Sequence, residues 1–107
     1  MPTTYKILGQ ITGSNATSSL YTSPVSTQTV VSSLVVANRG TTNSTFWIAA
    51  LPSGSTLDPK HYLAFQVPIS GSDSTALTLG ITLGAEDSIQ VSGMATGSFT
   101  LFGSQIS

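Results

Sequence analysis

Across its 107 residues the chain is only 7% charged, with a net charge of −1, while 39% is hydrophobic and about a third is serine or threonine. That is too apolar for disorder, long enough for one core but not comfortably two, and far below the ~25% charge of ordinary domains. It points to a single domain over 1–107 with hydroxyl-covered outer faces. No basic patch exists to neutralise several phosphates, which argues against duplex nucleic acid, and no polybasic stretch or ~18-residue apolar run argues for a membrane. There is no cysteine, so disulfides and thiolate-held metals are excluded. Residues Met1 to Ile7 show no charged segment followed by an apolar one, so no secretory signal is expected.

The first predicted strand covers 5–11, where Tyr5, Ile7, Gly9 and Ile11 alternate with Lys6, Leu8 and Gln10. Residues 12–19 read as a polar loop containing Gly13 and Asn15. Leu20-Tyr21-Thr22 is a short strand stopped by Pro24, either an edge strand or the entry to a hairpin. Residues 28–51 then read as one long β-hairpin, the stretch around which the rest is organised. Its first arm sets Val30, Ser32, Leu34 and Val36 on one face. Its second sets Phe46, Ile48 and Ala50 against Trp47, Ala49 and Leu51, with a polar turn from Asn38 to Asn43 between the arms.

After a loop with Pro52, Gly54 and Asp58-Pro59, residues 60–67 place His61, Leu63, Phe65 and Val67 on a common face. Thr75, Leu77, Leu79 and Ile81 form a one-sided strand, Gly84 to Asp87 a turn, and Ile89, Val91 and Gly93 another strand. Ala95-Thr96-Gly97 is expected to turn into Phe99 and Leu101. Seven or eight short strands at this spacing, with no 3.6-residue periodicity, predict an all-β fold: an antiparallel β-sandwich or jelly roll, with an open barrel as the alternative. The expected core is Leu34, Val36, Phe46, Ile48, Leu63, Phe65, Leu77, Leu79, Ile89, Val91, Phe99 and Leu101.

Chemistry is sparse. The single histidine, His61, has Asp58 three residues before it across a proline turn, but no marked nucleophile accompanies them, and structural use is the expectation. One histidine and four scattered acids supply no metal-ligand cluster. Glu86-Asp87 is the one acidic pair; neighbours on a strand point to opposite faces, so it is read as a turn in which Asp87 bonds a nearby N–H. No glycine pattern precedes a helix to cradle a phosphate. The sequence therefore predicts no enzyme and no cofactor. Trp47, Tyr5, Tyr21 and Tyr62 remain as aromatics that either pack or form a binding surface.

Three stretches carry a resemblance: 20–24 with 27–38, Lys60-His61-Tyr62, and Leu77 through Val91, joined by the ending Phe102-Gly103-Ser104. Together they resemble a group of small virion structural proteins of tailed bacteriophages, including cyanophages, over about Tyr5 to Ser104. The resemblance implies a virion component, a capsid cement or decoration protein or else a tail, baseplate or fibre part; a carbohydrate-binding module that uses Trp47 or the tyrosines on an exposed face is a separate alternative. It brings no catalytic residue. The expected partners are the major capsid protein or other virion proteins and further copies of the chain. Contacts are expected from both termini and from 12–19, 39–44 and 52–59, anchored by Tyr21, Arg39 and Trp47, because arginine and aromatics concentrate in interface hot spots.

Overall fold

A computed structural model of the chain describes residues 3–107, apart from the side chains of Asn15, Leu79 and Ala95. Six strands carry the fold: β1 (Thr3–Thr22), β2 (Gln28–Asn38), β3 (Ser44–Leu51), β4 (Tyr62–Ile69), β5 (Ser74–Leu83) and β6 (Ser88–Ile106). One 3-10 turn, Pro59–His61, precedes β4. All strand pairings are antiparallel. The all-β expectation therefore holds, with fewer and longer strands than the sequence predicts. Residues 12–19 are not a loop but the middle of β1, and 95–97 lie within β6, so two pairs of short strands are continuous.

The hairpin expected over 28–51 does not form. Both arms are strands and the turn between them is present, but β6 lies between them, in the order β4-β3-β6-β2-β5. Adjacent strands joined by a short turn usually pair. Here β6 is long enough to serve both arms, pairing β3 through 88–93 and β2 through 97–106, and β1 runs along its other edge throughout.

The β1–β6 ribbon doubles over on itself. Tyr21, paired with Ile89 near one end of the ribbon, hydrogen-bonds Thr29 and Gln105, which lie at the opposite end of the pairing. The fold occurs where Thr12↔Ser98 gives way to Ser14↔Gly93, leaving 94–97 opposite the single residue Gly13. Gly93 makes it possible, with φ of 92° and the Trp47 ring and Thr45 carbonyl so close that a Cβ would sit 3.0 and 2.5 Å from them. Pairing is consequently nested: the first stretch of chain with the last (3–12 with 98–106), then 14–22 with 88–93, β2 with β5, and β3 with β4.

The two halves enclose one apolar core. Phe46 on β3 meets Phe99 on β6 edge to face, 6.3 Å between ring centroids. Leu34, Val36, Ile48, Ile89, Val91 and Leu101 are buried as expected, and Leu77 packs against them. Leu79, also expected there, is outside the described side chains. Two expectations fail: Leu63 is 48% exposed and Phe65 59% exposed. The 3-10 turn sets the phase of β4 so that Ala64 faces Ile48, and a bulge at Gln66, φ 51°, restores Val67 to the core opposite Phe46. Leu63 and Phe65 are left on the outside. A similar irregularity between Val31 and Ser33 shifts the phase of β2. Thr29 and Val31 point inward before it and Leu34, Val36 and Asn38 after it, while Val30 turns out.

Buried Asn38 ties one end together. Its Nδ2 donates to the carbonyls of Thr42 and Ser70 and its Oδ1 accepts from the Gly40 N–H, joining the β2–β3 and β4–β5 turns. At the other end Asp87 accepts from the N–H groups of Gly84 and Ser53, both at 2.8 Å, the turn role expected of it.

Candidate interaction surfaces

The expected anchors sit in three separate settings. Tyr21 is buried, and its hydroxyl accepts from Gln105 Nε2 at 2.6 Å and bonds Thr29 Oγ1 at 2.8 Å. Thr29 also meets Ser23 Oγ at 2.9 Å, and Ser23 donates onward to the Thr27 carbonyl. The network joins the two halves of the fold where the ribbon ends meet. Its net value is about 1 kcal/mol per bond, with a larger cost for any group left unpartnered. Among the described residues, no buried side-chain polar atom lacks a partner. Tyr21 thus works inside the molecule.

Arg39 is exposed at the other end, where its backbone N–H reaches Thr96 and its guanidinium donates to the Gly97 carbonyl at 3.2 Å. The expected contact segments also divide: 12–19 belongs to β1, whereas the turn after Asn38 and residues 52–58 form connections.

Trp47 is half-buried on the outside of β3. Phe65 stands edge-on to it at 6.1 Å, and Tyr62 packs against Phe65 at 5.1 Å. With Leu63 nearby in β4, this makes an aromatic patch on the outside of the β3–β4 pair. Trp47 and Tyr62 are candidates on sequence alone, whereas alternation places Phe65 in the core, because the phase set by the 3-10 turn has no signature in hydropathy.

A second apolar surface lies on the outside of β1, β6 and β2. Tyr5, 83% exposed, Ile7 and Val30 stand out from it. Tyr5 pairs with Ser104, and Ser104 pairs with Val30, so a small hydroxyl lies between two larger side chains. The result is a groove of about 540 Å³, with Tyr5 and Lys6 of β1 on one side, Val30 and Ser32 of β2 on the other, and Phe102 and Ser104 of β6 between them. The alternation of Tyr5 and Ile7 was visible in the sequence; that it faces out was not.

His61 is buried and belongs to a cap. Its Nδ1 accepts from the Asp58 N–H at 3.0 Å, while the Asp58 carboxylate accepts from the Lys60 N–H at 3.3 Å. These reciprocal bonds close the 3-10 turn that phases β4. Among the described residues no group of three or more His, Asp or Glu side chains converges on a metal-sized space, and no helix is long and apolar enough to cross a membrane. No protein-family model and no curated protein matches the chain.

Proposed function

We propose that this chain is a non-enzymatic structural protein of a tailed-bacteriophage virion, a capsid cement or decoration protein with a jelly-roll β-sandwich fold. The nested pairing supports the fold reading. Rolling up an antiparallel ribbon pairs first with last and second with second-last, and that is how a jelly roll, a common viral capsid architecture, is built. The observation that carries the function is the outer surface. Tyr5, Ile7, Val25, Val30, Leu63 and Phe65 are exposed on a chain with three basic and four acidic residues. Such a surface gives little repulsion between copies and much apolar area to cover, which suits a component of a lattice. The partners in this reading are the major capsid protein or other virion proteins and further copies of the chain, with no nucleic acid, membrane or cofactor. His61 and Asp58, the one pair with catalytic potential, are occupied in closing a turn.

The test is to locate the protein on purified particles by electron microscopy and then wash them in high salt and in a mild chaotrope. Density on the capsid shell, retained in salt and lost in chaotrope, is the expected result. Release by salt alone contradicts an apolar contact, and absence from every particle fraction removes the virion reading. A hydrolase activity abolished by His61→Ala or Asp58→Ala overturns the non-enzymatic one. The Trp47–Phe65–Tyr62 patch favours a second reading, a tail, baseplate or fibre module that stacks aromatics on host glycans. Density at the tail, with glycan binding lost in Phe65→Ala, selects it.

A further inference from the structure

We infer that the outer face formed by residues 3–12 of β1, 97–106 of β6, β2 and β5 is the contact face of a two-fold homodimer, in which Tyr5 of each copy enters the groove beside Ser104 of the other. The inference rests on the structural-protein reading and deepens it by naming the face through which copies of the chain meet.

Three features of the face select a second copy as its occupant. The first is area. Four strands about 4.8 Å apart and about ten residues long at ~3.3 Å per residue present roughly 630 Å² in projection. Side-chain relief raises that towards the ~800 Å² per partner of a stable interface. This is about a seventh of the chain's 5631 Å².

The second is charge. Over these four strand segments Lys6 is the lone charged residue. A highly charged partner finds nothing to pair with, whereas an identical face brings only one like-charged pair. The outward row farthest from the groove, Thr12–Ser98–Ala37–Ser74, is small or hydroxylic and so allows close approach.

The third is self-complementarity. A two-fold contact requires that if residue i touches j, then j touches i. Here the most exposed large apolar side chain, Tyr5, stands immediately beside a groove about 540 Å³ in volume, so knob and hole lie next to each other on one face. One two-fold axis fills both grooves at once. Edge strand β1 adds unpaired backbone groups along the same border.

The experiment measures mass by sedimentation and light scattering over a concentration series. Wild type is expected at twice the 11.0 kDa chain mass. Tyr5→Asp and Val30→Asp are each expected to weaken the dimer roughly 30-fold or more, as for a hot-spot residue, with the circular dichroism spectrum unchanged. Phe65→Asp, on the other face, leaves the dimer intact. Because the chain lacks cysteine, a direct contact assay is available. Tyr5→Cys and Val30→Cys chains, mixed and oxidised, should cross-link to each other.

A wild type monomeric at its highest soluble concentration overturns the inference, as does a dimer sensitive to Phe65→Asp but not to Tyr5→Asp. A monomeric wild type whose binding to particles is lost in Tyr5→Asp assigns the face to the lattice: the dimer fails and the cement reading stands. A dimer found in solution but on no particle sustains the inference and removes that reading.

Discussion

Replacing Gly93 by alanine tests the doubling of the β1–β6 ribbon directly. The substitution meets two costs. At φ 92° an L-residue is strained by about 1–2 kcal/mol. The new Cβ would also lie 2.5 Å from the Thr45 carbonyl oxygen and 3.0 Å from the Trp47 ring, a collision with backbone that no rotamer relieves. Overpacking of that kind costs about 1–3 kcal/mol. The sum, about 2–5 kcal/mol, is a large part of the ~5–15 kcal/mol that holds a domain together. Gly54→Ala separates the two costs, since Gly54 has a similar φ of 76° but nothing within 4 Å of the new methyl. Urea unfolding followed by far-UV circular dichroism reads both. Gly93→Ala should lower the midpoint by about 1 M or more at unchanged slope, and Gly54→Ala by clearly less. Equal losses in the two variants would mean that the Thr45 carbonyl and the Trp47 ring do not enclose Gly93, and that the ribbon does not double over at 93–97.

Phe46→Ala should cost about 3–5 kcal/mol, because the ring is fully buried against Phe99. Phe65→Ala, whose ring is 59% exposed and retains mainly edge contacts with Trp47 and Tyr62, should cost about 1 kcal/mol; comparable losses in chemical denaturation would return Phe65 to the core. Thr29→Val keeps the shape but leaves Ser23 and Tyr21 without their shared partner, so it should destabilise by about 1–3 kcal/mol, with Thr29→Ser recovering most of the loss in the same assay.

What the sequence determined by itself is local. The β-branched runs at 30–36 and 46–51, the turn residues at 39–43 and 84–87, and the want of helical periodicity specify antiparallel strands and so the strand content. Most of the core was legible for the same reason: Leu34, Val36, Phe46, Ile48, Phe99 and Leu101 sit at alternating positions in regular stretches. The assignment failed where alternation is interrupted. A bulge reverses every side chain after it, and the irregularities at Ser32 and Gln66 are backbone events that hydropathy does not record. Phe65 and Val30 each lie just before such an irregularity, out of phase with Val67 and Leu34 beyond it, and face outward. Strand partners were beyond the sequence altogether. Residues 28–51 look like a hairpin because the chain between its arms is short, yet each arm bonds instead to a different half of β6, 37 or more residues further on. That choice is made by the doubled ribbon as a whole, which brings Tyr21 to Thr29 and Phe46 to Phe99 and, by the same fold, sets Tyr5 and Val30 on either side of Ser104 on the outer face.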